Sequence, residues 1–179
     1  MRIIQYMNTL LGYALTHDQA DQTMSPDSLT VTEVTWDHPD ARKLREQQRI
    51  DIADRYENVD SEPGTPPSAA DVICFCVAYQ NGIAMGCAGL RRLDQGSAEL
   101  KRMFVTKEAR GRGAANAILA FLEQKSLALG IHRLLLETGD RLVEAQRFYR
   151  RSGFRVTPNF GYYQGIQSSI CMEKILSEP

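Results

Sequence analysis

Two glycines set two apart, Gly111 and Gly113, fall between a run of alternating polar and apolar residues and a run with helical apolar spacing. The segment reads Arg110-Gly111-Arg112-Gly113-Ala114-Ala115. The first turn of a helix leaves four backbone N–H groups without intrahelical partners, and the helix dipole adds partial positive charge there. Glycine permits backbone angles and a close ligand approach that a Cβ would block. Such a turn can hold a phosphate, and Arg110 and Arg112 add charge-assisted donors. Gly-x-Gly also occurs in loops that bind nothing, so the turn alone leaves both readings open. One strand and one helix later comes Ala145-Gln146-Arg147-Phe148-Tyr149-Arg150-Arg151-Ser152-Gly153-Phe154, which puts a tyrosine where it can face whatever the phosphate carries.

A dinucleotide fold needs a third glycine at 116, where the residue is Asn116. Glu137 does follow the next strand at roughly the expected distance. The chain supplies only one strand–helix–strand unit, however, and it comes after three antiparallel-looking strands. A Walker A loop is excluded, because no Gly-Lys-Ser/Thr follows. A net charge of -1 gives no support to a nucleic-acid partner. No stretch approaches the roughly 20 apolar residues of a membrane span. Residues 1–15 are interrupted by Gln5, Asn8 and Thr9 and lack a convincing cleavage site, so they do not read as a signal peptide. The expected location is the cytoplasm.

The four cysteines, Cys74, Cys76, Cys87 and Cys171, form no C-x-x-C and have no histidine nearby in sequence. They read as small buried hydrophobes, and no metal site is expected. His38 and His132 read as structural.

With 179 residues the chain fits one domain with an extension. Residues 1–28 lack clean periodicity and form the extension, with a short helix over 3–15. The domain proper is expected over 29–179. Residues 29–36 are rich in β-branched residues and read as a strand. Asp37 or Asp40 is the expected cap of a helix reaching about 59, with Pro39 in its first turn. Residues 61–68 are a loop. Strands over 71–79 and 83–93 flank Asn81-Gly82, a strong hairpin signal. A strand over 97–106, a helix over 112–129 stopping at Gly130, and an apolar strand over 131–138 follow. A helix over 142–152 stops at Gly153, and strands near 154–157 and 168–176 close the domain. The order predicts an α/β (α+β) fold, a mixed sheet with helices on its faces.

These residues resemble the GNAT family of N-acetyltransferases. The family's acyl-CoA motif, Gln/Arg-x-x-Gly-x-Gly/Ala, is matched by Arg110, Gly113 and Ala115. Its later motif is matched by Ala145, Phe148, Tyr149, Gly153 and Phe154, and the strand Glu99-Leu100-Lys101-Arg102-Met103-Phe104-Val105 resembles the family's fourth. The resemblance runs from Leu29 to the C-terminus. It implies a mostly antiparallel sheet of about seven strands with helices on both faces and a splay between the fourth and fifth strands. It implies acetyl-CoA as cosubstrate, its pantetheine arm pairing with the backbone of Met103, Phe104 and Val105. The turn from Arg110 and Gly111 onward would hold the pyrophosphate on the N–H groups of Arg112, Gly113, Ala114 and Ala115. Many members carry Asn where this chain has Leu142, so no side-chain contact is assigned there.

An amine acceptor is mostly ammonium at neutral pH and must lose a proton before it attacks a thioester. In similar enzymes the tyrosine at the position of Tyr149 faces the CoA sulfur, which makes it the candidate acid for the leaving thiolate. The other reading of Tyr149 is an aromatic packing a helix end onto the sheet. Glu99 aligns with the catalytic glutamate of some relatives and is the candidate base. Its other reading is a solvent-facing strand carboxylate, and Glu137 is an alternative base or substrate anchor. Acceptors of similar enzymes enter between the first helices, here 36–56, and the loop 158–167. The partners expected are acetyl-CoA and a small amine or amino-acid-like acceptor, and a homodimer is compatible with the sequence. The competing classes are a protein N-acetyltransferase, a non-catalytic acyl-CoA-binding module and a dinucleotide-binding regulator.

Overall fold

The computed structural model describes residues 28–56 and 63–177. The extension and its expected helix over 3–15 lie outside the described residues, apart from Ser28. Strand β1 (Leu29–Glu33) leads to helix α1 (Pro39–Tyr56) and then to β2 (Val72–Gln80), β3 (Ile83–Arg92) and β4 (Ser97–Val105). Helix α2 (Ala114–Ala128), β5 (Arg133–Gly139), α3 (Val143–Arg151), β6 (Arg155–Val156) and β7 (Ser169–Ile175) complete the order. The seven strands form one sheet in the order β1-β2-β3-β4-β5-β7-β6. Among the described residues, only β4 and β5 pair in parallel.

The hairpin expected at Asn81-Gly82 is present. Both residues have positive φ, 53° and 74°, and Gln80 pairs with Ile83. A two-residue turn with two left-handed centres matches the twist of its strands. The first strand ends at Glu33 instead of reaching Trp36. Trp36 turns inward, stacks edge-on against Phe75 at 5.3 Å and lies under the Arg45 guanidinium. The cap of α1 is His38 rather than Asp37 or Asp40. Its carbonyl accepts from Arg42 N–H at 3.0 Å, and its Nδ1 accepts from Asp40 N–H at 3.3 Å. Pro39 takes the first helical position, where no N–H is needed.

Helices α2 and α3 cover one face of the sheet and α1 the other. The larger core joins Ile118 and Leu122 of α2 and Tyr149 of α3 to Leu90, Leu100, Leu134 and Met172. The smaller joins Ala41 and Leu44 of α1 to Phe75, Val77 and Cys87. All four cysteines are free and buried, and burial pushes the Cys74 and Cys87 thiols up to about 12. No helix among the described residues is long and apolar enough to cross a membrane.

Strand β4 carries a bulge that matters for the site. Arg102 has φ 58°, in the left-handed region. On β3 only Ala88 lies between Cys87 and Gly89, while their partners Phe104 and Lys101 are three apart on β4. One extra residue reverses the alternation of faces. Ala98 and Leu100 reach the larger core before the bulge, and Met103 and Val105 reach it after. Gly86 allows the fold here, since a Cβ on it would lie 2.6 Å from Phe104 O.

Candidate active site

The parallel ladder between β4 and β5 covers only Ser97–Leu100 against Arg133–Leu136. Among the described residues, β4 has no strand partner on that edge beyond Leu100, and β5 continues only with β7. The edge from Lys101 to Val105 therefore offers backbone donors and acceptors to a ligand. A cleft of about 750 Å³ opens along it. Gln48, Asp51, Ile52 and Arg55 of α1 form one wall, and Ala145, Phe148 and Tyr149 of α3 form the other. Leu142, the N-cap of α3, also lines the cleft.

At one end of the cleft lies the glycine turn. Gly111 and Gly113 have φ 77° and 87°, angles that a side chain rarely tolerates. Gly113 caps α2, and the first bond back into the helix runs from Ala117 N–H to Gly113 O at 3.0 Å. The N–H groups of Ala114, Ala115 and Asn116 are thus unused by the helix. Arg112 N–H points inward and donates to Ala109 O at 3.2 Å. The Arg110 side chain ties the turn to its surroundings. Its Nε donates to Val105 O at 3.2 Å, and its Nη2 lies 3.3 Å from both Asp51 carboxylate oxygens. The Arg112 side chain is exposed.

Tyr149 is held by the end of α3. Phe154 N–H donates to Tyr149 O at 3.0 Å and Gly153 N–H to Arg150 O at 3.1 Å, with Gly153 at φ 89°. This is the Schellman arrangement, and its accompanying apolar contact is the Tyr149–Phe154 ring pair at 5.5 Å. The spacing of tyrosine, glycine and phenylalanine in the sequence is thus the recipe for one helix ending. Tyr149 is only 6% exposed yet lines the cleft. Burial, with a smaller contribution from Glu137, pushes its hydroxyl well above the usual tyrosine range. Tyr149 thus packs the end of α3 onto the core and at the same time lines the cleft.

Glu99 is not a solvent-facing carboxylate; its exposure is 0%. Its Oε2 accepts from Arg91 Nη2 and Nε at 2.7 and 3.1 Å, and its Oε1 accepts from Tyr163 Oη at 2.6 Å. Lys101 Nζ donates to the same Tyr163 hydroxyl at 3.0 Å. Arg91 also reaches Thr65 O and Asp71. The group floors a second hollow of about 370 Å³, under the loop that carries Phe160 and Tyr162. Burial first, then the Glu99 charge, pushes the Tyr163 hydroxyl far up. The loop expected over 158–167 is ordered by Asn159, whose Nδ2 reaches the carbonyls of Tyr163, Ile166 and Ser169. On the same sheet face, Glu137 accepts from Ser169 Oγ at 2.7 Å.

Unused N–H groups at a helix start, an open strand edge and a deep tyrosine suit a phosphorylated arm that carries amides and ends in a reactive group. The sequence profile of the acetyltransferase (GNAT) family matches residues 34–154. The chain belongs to the GNAT acetyltransferase family. It is an acetyl-CoA-dependent acyltransferase. An IAA acetyltransferase from Azospirillum brasilense is 37% identical over 105 residues, 58% of this chain and 69% of that protein. An uncharacterized N-acetyltransferase from Schizosaccharomyces pombe is 26% identical over 163 residues, 87% of this chain and 99% of that one. A GNAT acetyltransferase from Elizabethkingia anophelis, solved with acetyl-CoA bound, shares the fold with a TM-score of 0.62 at 18% identity, covering 84% of this chain and 99% of that one.

Within this GNAT fold, Met103, Phe104, Val105 and the turn from Arg110 to Ala115 gather around one cleft with Tyr149, although Arg112 is not among its lining residues. Glu99 stands apart from them, floor of the second hollow. Two residues were not singled out by the sequence reading. Tyr163 lies within the loop 158–167, and nothing local marks it as the partner of a carboxylate 64 positions away. Gln48 did carry a signal. It completes the inward stripe Ala41, Leu44, Gln48 of α1, where an apolar residue is the norm.

Proposed function

We propose that the protein transfers the acetyl group of acetyl-CoA to the primary amine of a small or amino-acid-like acceptor by direct attack. The observation that carries this reading is the cleft where β4 leaves β5, with the start of α2 at one end and Tyr149 in its wall. The N–H groups of Gly113, Ala114 and Ala115 take the pyrophosphate, and the edge of Met103 to Val105 pairs with the pantetheine amides. Bound acetyl-CoA supplies the thioester carbonyl that the amine attacks. A β4 backbone N–H stabilises the charge that builds on the carbonyl oxygen. Tyr149, kept protonated by its burial, donates its proton to the departing CoA sulfur.

The amine's own proton leaves through the hydrogen bond that joins Tyr163 to Glu99. As Tyr163 Oη accepts the proton, it passes its own to Glu99 Oε1, 2.6 Å away. In this reading Glu99 is the final proton acceptor and Tyr163 the group between it and the amine, which requires the acceptor to reach from the smaller hollow to the cleft. The smaller hollow beneath Phe160 and Tyr162 suits a compact acceptor better than a protein tail. The test incubates the full chain with acetyl-CoA, a panel of small primary amines and a set of lysine-bearing peptides, with products read by mass spectrometry. The expected product is an N-acetylated small amine; acetylation of peptides alone would overturn the choice of acceptor.

A further inference from the structure

Gln48 is 9% exposed and lines the cleft. Its Nε2 donates to Met103 O at 3.0 Å. That bond orients the amide, because a carbonyl oxygen can only accept and the nitrogen must face it. The other end of the amide, Oε1, is buried with no hydrogen-bond partner among the described residues. A buried acceptor left without a donor costs stability, and native structures rarely leave one without a reason.

The position supplies a reason. Met103 O belongs to the open edge of β4, where an incoming amide N–H would find a carbonyl, and Gln48 Nε2 already takes one of its two lone pairs. The Gln48 side chain satisfies the strand with one atom and leaves an equivalent oxygen unpaired beside it. The inward stripe of α1 puts it there, since Ala41 and Leu44 anchor the helix on the sheet and Gln48 lands over the bulge.

We infer that Gln48 is a ligand-binding residue whose Oε1 accepts a hydrogen bond from an amide N–H of the pantetheine arm of CoA. This rests on the proposed use of CoA and adds a side chain of α1 to a pantetheine contact otherwise built from the backbone of β4. An ordinary structural glutamine would stabilise the free protein. An acceptor held unpaired for a ligand costs the free protein stability and benefits the complex.

The experiment compares wild type with Gln48→Met, which keeps the length of the side chain and removes both polar atoms. Calorimetry gives the Kd for CoA and for adenosine 3′,5′-bisphosphate, which lacks the pantetheine arm, and thermal unfolding is followed without ligand. The expected result is a CoA Kd raised about tenfold, the size of one lost hydrogen bond. The bisphosphate Kd stays within about twofold, and the unfolding midpoint does not fall. An unchanged CoA Kd overturns the inference, as does an equal weakening of both ligands with a lowered midpoint. If Gln48→Met does not fold, Gln48→Asn, too short to serve Met103 and the arm together, must show the same selective loss of CoA; equal affinity overturns the inference. Wild type that binds no CoA overturns the functional reading itself, a result distinguishable from failure of the variant alone.

Discussion

At Tyr149 the fold and the proposed chemistry use the same atoms. The Schellman ending of α3 fixes the ring, and burial keeps the hydroxyl protonated across any practical assay pH. Tyr149→Phe keeps the ring packing and removes only the proton. Acetyl-CoA should bind with unchanged affinity while kcat falls about 100-fold, the low end of general-acid effects. Transfer at the wild-type rate would sink the acid role. The wild-type profile of kcat/KM should rise with pH as the acceptor amine loses its proton. It should show no alkaline descent below about pH 10, because Tyr149 titrates above the ordinary tyrosine value. At Glu99 two variants separate chemistry from structure. Tyr163→Phe cuts the relay but leaves the Arg91 pair, so kcat should fall about tenfold or more. Glu99→Gln also strips a buried guanidinium of its charge partner and should cost about 3 kcal/mol in urea unfolding. Wild-type kcat in Tyr163→Phe would contradict the relay.

At the scale of elements, the site exists because β4 is bulged and then abandoned by its neighbour. Gly86 is the counterpart of that bulge on β3. Gly86→Ala would press a methyl group on Phe104 O, a backbone atom with little room to move. The expected cost is about 1–3 kcal/mol, together with weaker acetyl-CoA binding as the edge from Met103 to Val105 shifts. Denaturant unfolding and a binding isotherm on the same variant check both, and an unchanged pair would mean the bulge does not shape the cleft. Much at this scale was legible in the sequence. Asn81-Gly82 specified its hairpin, and Gly130 and Gly153 specified two helix ends, because each is a local requirement for positive φ. The bulge was not legible, since Arg102 is an ordinary strand residue forced into a left-handed angle by its neighbours. The His38 cap was missed because Asp37 and Asp40 are the better capping residues by type, and only the path of the chain decides between them.

Across the whole molecule, the two helical layers and the sheet between them bury ionisable groups that the unfolded chain exposes. Cys74, Cys87 and Tyr79 are each pushed up to about 12, chiefly by burial. A raised folded value gives stability that is complete below the unfolded pKa and is lost as pH climbs toward the folded one. Unfolded thiols titrate near 8.5. The thermal midpoint should therefore hold at neutral pH and decline from about pH 8.5 upward; a flat midpoint to pH 10 would contradict the burial described. The turns that bring Arg110 to Ala115 and Tyr149 to one cleft could be read from the sequence, since their spacing encodes local geometry. The partners of Glu99 could not, because Glu99, Tyr163 and Arg91 meet only when strand, loop and hairpin are assembled. The most direct test of the central claim is release of free CoA thiol from acetyl-CoA by the full chain, followed against the concentration of each of a panel of primary amines. The account predicts saturable, amine-dependent release for at least one small amine, abolished when the amine is omitted. Tight binding of acetyl-CoA with no amine-dependent release would contradict it.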